Sequence, residues 1–439
     1  MGKTTNETRT IPNTPIKASL ANANRRLLLV TLLLLLTLFF HMSHLSLYQK
    51  TSKIGIGYMK NKINEALTRG VAEIFPTKQG LAELMAKKKI KLYQGFDPSM
   101  PSLHLGNLVG LMKLRQFQKL GHEVIFLVGD FTGMIGDPTD KLATRKKLTR
   151  KEVLDNAKSW KEQAGKVLNF EGENPARIIF NSEWSDKITF KDLIEITSNL
   201  TVQQLIERDM FQQRLKESKP IHLHEFLYPV AQGYDSVAMD VDLEIGGSDQ
   251  IFNMLIGRTL MKATKGKEKY VLATKLLVDK EGKKAGKTTG NALFLDSTPE
   301  NFYAGVMSFP DEIILLGFEL LTESGLDGLE EKIKKDPMNE KKRLAFEIVK
   351  FLWGKESAIK AQEEFERTFQ EQRPAYETKI LLKDNLAATI AAFTSSISEA
   401  KRLINQGGVD VNGQQADIFY QLKVGDKIRI GKKLFGTIK

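Results

Sequence analysis

The chain has 439 residues, of which 41% are hydrophobic and 27% charged, a balance typical of a globular protein with two or three domains. It contains no cysteine, which excludes a disulfide framework, a zinc–thiolate site and thiol catalysis. The formal net charge of +12 favours a polyanionic partner, nucleic acid before a membrane surface, although a basic soluble enzyme fits the charge equally well.

The first 58 residues differ in composition from the rest. A polar segment ends at Arg25 and Arg26, and an apolar run follows over residues 27–40. As a helix this run spans about 21 Å, against about 30 Å for the hydrocarbon core of a membrane, and no small-residue cleavage site follows it. We therefore expect residues 1–58 to be an N-terminal extension, disordered or a short apolar helix, with Met59 as the working start. A membrane anchor through residues 27–40 is the alternative.

Strand and helix patterns alternate from Lys89 onward, after an amphipathic helical start at residues 59–88. The prediction in chain order is a strand, a helix closed by Gly121, a buried parallel strand and two further strands that run into loops: residues 90–96, 107–121, 122–130, 175–184 and 240–249. Short strands separated by helices are typical of βαβ units. The sequence therefore predicts an α/β fold, with a Rossmann-like parallel-sheet catalytic domain over residues 59–296.

The composition changes near Ser297. Residues 338–372 interleave charges with apolar positions at helical spacing, which predicts an α-helical domain over residues 297–375. In the tail, SISEAKRLINQGG indicates a short capped helix, VDVNGQ has the Asn-Gly pair of a hairpin, and the last segment predicts two strands. Residues 376–439 are therefore expected to form a small α+β domain, with eight Lys and two Arg against six acidic residues.

The first motif that can carry chemistry is LYQGFDPSMPSLHLGN, residues 92–107. In an open α/β sheet, ligands bind where strands end and the next helix begins. Gly95 and Gly106 let the backbone approach a phosphate, and His104 beside a helix N-terminus can support that phosphate. A hydrogen-bonded loop histidine is the simpler interpretation of His104 taken alone.

A second motif is DKEGKKAGKTTGN, residues 279–291, which follows an apolar strand-like run. Its lysines lie among glycines, so the loop can fold over a polyphosphate and bring positive charge to oxygens whose charge grows in a transition state. The spacing and context differ from those of a P-loop. A solvated lysine loop is the alternative.

The third motif is YPVAQGYDSVAMDVDLEIGGSDQIFN, residues 228–253. Tyr228, Gln232 and Asp235 fall at i, i+4 and i+7, on one face of a helix. A hydroxyl, an amide and a carboxylate on one face suit a ligand that carries its own ammonium and hydroxyl. Asp249 follows a strand, where it can accept from a ribose hydroxyl, and Gln250 can reach a polar ligand.

These motifs together resemble a known family. HLGN resembles the HIGH signature and KAGKT the KMSKS signature of class I aminoacyl-tRNA synthetases. With YQGFDPS, GDFTGMIGDPTDK, YPVAQGYD and GGSDQ, residues 59–439 resemble the bacterial tyrosyl-tRNA synthetases, and the basic tail resembles their S4-type RNA-binding domain. The resemblance implies a tyrosine–tRNA ligase, which activates L-tyrosine with ATP and then charges tRNA(Tyr).

The resemblance also implies roles for single residues at the amino acid. Tyr93 and Asp235 would meet the phenol of tyrosine, and a site built for a hydroxyl leaves buried groups unpaired when phenylalanine enters. Tyr228, Gln232 and Asp137 would hold the ammonium group. Gln250 would serve the carboxylate.

At the nucleotide, the resemblance implies that His104, Asn107 and Ser99 support the phosphates of ATP and that Asp249 serves its ribose. The remaining ATP positions would be Gly95, Asp97, Gly106 and Gly247. The leaving pyrophosphate would be met by residues of two segments: Lys284, Lys287, Thr288, Lys141 and Arg145.

Two departures from the family pattern concern these motifs. Asn107 stands where the second histidine is usual, and Ala285 and Thr288 replace the usual larger apolar residue and serine. Three rivals remain: a tryptophanyl-type synthetase, against which Tyr93 and Asp235 argue, a non-catalytic synthetase-derived RNA-binding protein, and a membrane-tethered enzyme. The resemblance further implies a cytoplasmic homodimer that uses Mg²⁺ with ATP, and the sequence shows no protein metal-ligand cluster.

Overall fold

The computed structural model describes residues 57, 59–137, 148–279, 281, 293–370, 376, 378–394, 396–431 and 434–439. The chain divides into two compact units, residues 1–64 and 65–439. In the first unit the described residues, 57 and 59–64, are helical. The apolar run 27–40 lies outside the described residues. Within the described part, no helix is both long and apolar enough to cross a membrane.

The first sheet of the second unit has six strands, in the spatial order β1-β6-β5-β2-β3-β4. Their bounds are β1 Val71–Phe75, β2 Lys91–Phe96, β3 Glu123–Val128, β4 Arg177–Phe180, β5 Leu243–Gly247 and β6 Tyr270–Thr274. Strands β2 to β6 run parallel, and β1 pairs antiparallel with β6 at the edge. The predicted strands at 90–96, 122–130, 175–184 and 240–249 are thereby confirmed.

The predicted helical start over residues 59–88 is confirmed at residues 59–66 and 78–87 and is wrong between them. Strand β1 interrupts it, and helix α1 follows only at Lys78–Lys87, with Thr77 as its N-cap. The apolar residues of VAEIF pair along β6, where the register joins Phe75 to Val271. Tertiary pairing has therefore overridden a helical periodicity that the local sequence supports.

Ten further helices in the described part of the chain connect and cover the strands of this sheet. They are α2 Leu105–Lys119, α3 Thr132–Ile135, α4 Arg150–Ala157, α5 Trp160–Gly165, α6 Ser182–Ser185, α7 Phe190–Thr197, α8 Val202–Ile206, α9 Asp209–Lys216, α10 Leu223–Met239 and α11 Ile251–Lys265. The predicted helix at 107–121 is confirmed as α2, which begins two residues earlier. Gly121 follows its end with a φ of +84°, the left-handed conformation that favours glycine.

The order of the strands creates a crevice. The chain adds β3 and β4 on one side of β2 and then returns to place β5 and β6 on the other side. The connections at the carboxyl ends of β2 and β5 therefore leave in opposite directions, which opens the space where open α/β sheets bind ligands.

A helical region follows, as predicted from residue 297. Its helices are α12 Pro299–Met307, α13 Ile314–Leu321, α14 Leu329–Lys335, α15 Pro337–Trp353 and α16 Lys355–Phe365, and a π-helical turn covers Glu366–Gln370. Gly354, with a φ of +90°, separates α15 from α16. The long helical pattern of the sequence is thus two helices, because helical periodicity does not register a single left-handed residue.

The last part of the chain is a five-stranded sheet with two short helices. The strands lie in the order β7-β11-β10-β8-β9, and the elements are β7 Thr378–Ile380, α17 Leu386–Ile390, α18 Ile397–Asn405, β8 Val409–Val411, β9 Gln414–Gln415, β10 Lys427–Ile430 and β11 Leu434–Ile438. Asn412 and Gly413 join β8 to β9 with φ of +52° and +83°, the conformation of a type I′ hairpin turn. The predicted helix, hairpin and two final strands are confirmed.

Candidate active site

The predicted amino-acid site lies where β2 and β5 end and α10 crosses beside them. The i, i+4, i+7 prediction is confirmed, since Tyr228, Gln232 and Asp235 all belong to α10. Asp235 and Tyr228 are buried, and Gln232 is half-buried. Helix α10 thus turns one polar face toward the carboxyl ends of the sheet.

Tyr93 and Asp235 form the most deeply buried part of this site. The Tyr93 hydroxyl lies 2.9 Å from Ser236 Oγ. Asp235 accepts from Trp184 Nε1 at 2.9 Å and from Asn181 Nδ2 at 3.3 Å. Burial raises the pKa of both Tyr93 and Asp235 well above their usual range, although the two N–H donors act in the opposite direction on Asp235.

Tyr228 is tied to the end of β2. Its hydroxyl donates to Asp97 Oδ2 at 2.8 Å, and Asp97 Oδ1 accepts from Thr132 Oγ1 at 2.6 Å. Thr132 in turn accepts from Asn181 at 3.1 Å, so this chain of hydrogen bonds returns to the group that holds Asp235. Burial raises the pKa of the Tyr228 hydroxyl well above its usual range. The sequence predicted that Asp97 contacts ATP. In the structure Asp97 is also a direct hydrogen-bond partner of Tyr228, a residue predicted to bind the substrate tyrosine.

A second chain of hydrogen bonds starts at Asp137. Its carboxylate accepts from Gln250 Nε2 at 2.7 Å and from Arg208 Nη2 at 3.1 Å. Asn253 Nδ2 donates both to Gln250 Oε1 at 2.9 Å and to Gln232 Oε1 at 3.0 Å. Asp137, Gln250 and Gln232, which the sequence placed around one amino acid, are thus joined in a single network.

This network continues to a buried ion pair. Gln232 Nε2 donates to Glu244 Oε1 at 3.1 Å, and Ser236 Oγ donates to Glu244 Oε2 at 3.3 Å. The ammonium of Lys269 also contacts Glu244 Oε2. Lys269 is fully buried, and burial lowers its pKa, which Glu244 partly offsets.

The His104 motif forms the start of α2. His104 is the N-cap: its Nδ1 accepts from the Asn107 amide at 3.2 Å, and its own amide donates to Asn107 Oδ1 at 2.9 Å. This is a capping box in which histidine and asparagine replace the usual residue types. A Cβ on Gly106 would lie 2.9 Å from His104 Cε1, so glycine leaves the imidazole its space.

The residues that follow the lysine loop lie directly beside His104. Leu105 N donates to Leu293 O at 2.8 Å, Leu295 N donates to Leu103 O at 2.8 Å, and His104 pairs with Phe294 in an antiparallel bridge. The exit of the loop is therefore held at the N-terminus of α2. The loop positions Lys284, Lys287 and Thr288, and Lys141 and Arg145 of the other segment, lie outside the described residues.

The other residues predicted to bind ATP lie near the carboxyl ends of β2 and β5. Gly95 and Ser99 are exposed, and the Ser99 amide donates to Asp97 O at 2.8 Å. A Cβ on Gly247 would lie 2.6 Å from Asp249 Oδ1, so glycine makes room for that carboxylate. Among the described residues, no group of three or more His, Cys, Asp or Glu side chains could hold a metal ion.

Several members of these networks were not predicted as site residues from the sequence. They are Asn181, Trp184, Arg208, Ser236, Glu244, Asn253 and Lys269. Asn181 had a usable signal, because it lies in the predicted segment 175–184, a strand that runs into a loop, where site residues gather. Ser236, Glu244 and Asn253 lie inside the third motif, where no role was predicted for them, and the others come from segments whose local patterns indicate only helix, strand or loop.

The arrangement suits a polar ligand that bears a hydroxyl at one end. Tyr93 and Asp235 offer oxygen atoms in a buried position, and the carboxylate of Asp137 and the amides of Gln232 and Gln250 lie along the same helix-lined crevice. The N-terminus of α2, with His104 on it, offers the partial positive charge that suits phosphate. No side chain here is arranged as a nucleophile with an adjacent base, so the described residues suit positioning better than covalent catalysis.

Comparison with known proteins yields matches over most of the chain. The family described as tRNA synthetases class I (W and Y) matches residues 85–370, and the S4 domain family matches residues 391–428. A tyrosine–tRNA ligase of Thermotoga maritima is 41% identical over 389 residues, 85% of this chain and 96% of that protein. One of Geobacter metallireducens is 42% identical over 398 residues, 85% of this chain and 97% of that protein.

Solved structures agree on the fold. The C-terminally truncated mitochondrial tyrosyl-tRNA synthetase of Coccidioides posadasii aligns with a TM-score of 0.57 at 24% identity, covering 72% of this chain and 98% of that one. The tyrosyl-tRNA synthetase of Archaeoglobus fulgidus complexed with L-tyrosine aligns with a TM-score of 0.54 at 20% identity, covering 69% and 99%.

Proposed function

The chain belongs to the class I tRNA synthetases of the tryptophan and tyrosine group and is a tyrosine–tRNA ligase, and on this premise we propose which of its residues carry the reaction. Tyrosine and ATP give tyrosyl-adenylate and pyrophosphate, and the tyrosyl group then passes to the 3′-terminal ribose of tRNA(Tyr). Neither step needs a protein nucleophile, so the residues act by positioning and by stabilising charge.

Tyrosine binds in the crevice between β2 and β5. Its phenol meets Tyr93 and Asp235, its ammonium meets Tyr228, Gln232 and Asp137, and its carboxylate meets Gln250. The observation that carries this proposal is that all six residues belong to two connected hydrogen-bond chains at the carboxyl ends of neighbouring strands. Such chains fix side-chain directions before a ligand arrives, which is the condition for selective binding.

ATP binds at the N-terminus of α2. Its phosphates are bound by His104, Asn107 and Ser99, and its ribose is bound by Asp249. Gly95, Asp97, Gly106 and Gly247 shape the same edge. Lys284, Lys287, Thr288, Lys141 and Arg145 bring positive charge to the departing pyrophosphate, and Mg²⁺ accompanies ATP as part of the substrate. The position of Leu293 beside Leu105 supports a loop that reaches this nucleotide.

The test is amino-acid-dependent ATP–pyrophosphate exchange with tyrosine, tryptophan and phenylalanine. The full chain should exchange with tyrosine alone. Tyr93→Phe and Asp235→Asn should each lower the tyrosine-over-phenylalanine ratio by about tenfold or more, because the phenol then loses a buried partner.

Tyr303→Phe is the matched control, since this buried tyrosine donates to Lys342 O at 3.3 Å away from the crevice. It should keep the wild-type ratio. An unchanged ratio in Tyr93→Phe and Asp235→Asn, with folded protein, would overturn the assignment of the phenol site.

The tRNA binds to the later part of the chain. We divide the whole chain into an extension at 1–58, a catalytic domain at 59–296, a helical anticodon-binding domain at 297–375 and an S4-like RNA-binding domain at 376–439. The match of the S4 family over residues 391–428 supports the last division. Deleting residues 376–439 should weaken tRNA charging and leave tyrosine-dependent exchange intact.

The enzyme acts in the cytoplasm as a homodimer. Support comes from large apolar side chains that stay exposed between residues 190 and 223: Phe190 at 79%, Val202 at 69% and Leu223 at 78%. Surfaces of this kind mark interaction sites. Phe190→Asp should shift the molar mass measured by light scattering toward that of the monomer, whereas Phe419→Asp, at a position 86% exposed in the turn between β9 and β10, should not.

A further inference from the structure

A lysine without access to solvent lies behind the proposed tyrosine site. Lys269 immediately precedes β6 and is 0% exposed. Its ammonium contacts the carboxylate of Glu244 on β5 and donates to Met254 O at 3.0 Å. A buried ammonium is costly unless it is paired and hydrogen-bonded, so a position with both conditions met indicates a specific use.

The helices of the fold leave room for this ammonium. A Cβ on Gly257 of α11 would lie 2.6 Å from Lys269 Nζ and 3.0 Å from Ser236 Oγ. The same Cβ would lie 3.2 Å from the Cα of Gly233 on α10, so two glycines meet where the helices cross. The ammonium of Lys269 and the hydroxyl of Ser236 therefore both reach the space that a side chain on Gly257 would fill.

The partners of Glu244 are all donors. Its carboxylate accepts hydrogen bonds from Gln232 and Ser236 and pairs with the ammonium of Lys269. An ionised carboxylate is an acceptor only, so it determines the direction of each of these hydrogen bonds. Because Ser236 has a single hydrogen and gives it to Glu244, the Ser236 oxygen is left to accept from the Tyr93 hydroxyl 2.9 Å away.

The amide of Gln232 is oriented in the same way. Its nitrogen faces Glu244, so its oxygen faces Asn253, whose amide donates at 3.0 Å. Asn253 also donates to Gln250, and Gln250 donates to Asp137. Four proposed tyrosine-binding residues, Tyr93, Gln232, Gln250 and Asp137, are thus linked to this one carboxylate through hydrogen bonds.

We propose that Lys269 is a positioning residue of the tyrosine site, which keeps Glu244 as an acceptor and so sets the hydrogen-bond directions of Tyr93 and Gln232. This inference rests on the tyrosine site proposed above and adds a specificity role to a residue outside it. Without the ammonium, the Glu244 carboxylate loses the charged donor that holds its Oε2, and it can turn away from Ser236 and Gln232. Ser236 and Gln232 then lose their single orientation, and the phenol and the ammonium of tyrosine meet a mixture of donor and acceptor arrangements.

The first test is Lys269→Met in ATP–pyrophosphate exchange. The KM for tyrosine should rise by about tenfold and the tyrosine-over-phenylalanine ratio should fall by about tenfold, the kinetic equivalent of one misplaced hydrogen bond. The KM for ATP should stay unchanged. Lys267→Met is the matched control: Lys267 lies two residues away and pairs with Asp240 at 3.1 Å and with Asp242 at 3.2 Å rather than with Glu244, so its loss should leave all three values unchanged.

The second test separates positioning from stability. Lys269→Met/Glu244→Gln removes both charges, so thermal unfolding should return toward that of the wild type. The side-chain amide of glutamine can both donate and accept, so the directions of the hydrogen bonds to Ser236 and Gln232 stay undetermined. The tyrosine-over-phenylalanine ratio should therefore stay low. Glu244→Gln alone, which is nearly isosteric, should show the same low ratio.

Recovery of both stability and the ratio in the double variant would overturn the proposal and leave Lys269 a purely structural role. A normal ratio in Glu244→Gln would overturn it as well. Failure of the underlying tyrosine site has a different signature, because the ratio would then be insensitive to Tyr93→Phe and Asp235→Asn too.

Discussion

The guanidinium of Arg208 lies 3.1 Å from the carboxylate of Asp137, and both side chains are largely buried, with 5% and 12% exposed. Arg208 Nη1 is buried and has no hydrogen-bond partner among the described residues. Gln250 holds the other Asp137 oxygen at 2.7 Å. The carboxylate that we assign to the ammonium of tyrosine is therefore oriented by a cation from the residue that precedes α9.

Arg208→Met should destabilise the protein by about 3 kcal/mol, because it removes the cation from an ion pair whose two side chains are largely buried. The KM for tyrosine should rise by roughly tenfold, since the carboxylate loses one of the groups that orient it. Urea unfolding and pyrophosphate exchange measure the two effects. Arg177→Met removes an exposed ion pair with Glu123 and should cost less than about 1 kcal/mol with no change in KM. An unchanged KM in Arg208→Met would show that tyrosine does not use Asp137 in this orientation.

His104→Ala should have two separable effects. Loss of the N-cap should cost about 1 kcal/mol of stability, and loss of the imidazole should lower kcat for exchange by about a hundredfold, if it stabilises phosphate charge. Thr189→Ala removes a similar cap, in which Thr189 and Asp192 form a capping box on α7. Thr189→Ala should lower the free energy of unfolding by the same amount as His104→Ala and should keep the wild-type kcat. Equal kcat values for the two variants would leave His104 with the capping role alone.

The stability of the protein should depend on His122 between pH 6.5 and about 4. Burial, and next the charge of Lys89, lower the pKa of His122 from 6.5 to about 4. The neutral ring accepts from the Ile90 amide at 3.3 Å. Between these pH values the unfolded chain binds a proton that the folded chain does not, so unfolding becomes easier as the pH falls, by at most about 1.4 kcal/mol per pH unit.

The check is urea unfolding at pH 7, 6 and 5. His122→Gln should flatten the loss of stability in this range relative to the wild type. Identical slopes in wild type and His122→Gln would assign the acid sensitivity to other groups.

Gly257→Ala should be destabilising although alanine favours helices. Its methyl would meet the backbone of Gly233 at 3.2 Å and the Lys269 ammonium at 2.6 Å, and overpacking of this kind costs about 1–3 kcal/mol. Gly165→Ala, where the added Cβ meets nothing nearer than 4.0 Å, should be neutral or stabilising. Thermal unfolding compares them, and a Gly257→Ala protein as stable as the wild type would show that the helix crossing can relax.

The elements of the fold followed largely from local patterns. The alternation from β2 through α2 to β3 was readable because apolar residues recur at the periods of strands and helices. The Asn412–Gly413 hairpin was readable because its backbone requires φ above zero at both positions. Strand β1 could not be predicted from the sequence, since its residues also fit a helix. Only its pairing with β6 decides between helix and strand.

The candidate site divides in the same way. Tyr228, Gln232 and Asp235 were grouped by helical spacing within one segment, and the family resemblance supplied Tyr93, Asp137 and Gln250. The groups that orient them were not readable, because Trp184, Arg208 and Lys269 come from segments with no chemical motif of their own.

The sequence by itself therefore determined the order of helices and strands, the family, and most of the residues proposed to touch tyrosine and ATP. These features depend on spacing along the chain, which is visible without a structure. The tertiary structure alone decided which buried donors and charges face those residues, such as Lys269 toward Glu244 and Arg208 toward Asp137. Hydrogen-bond direction and burial depend on neighbours brought together from distant parts of the chain, and no local pattern encodes them.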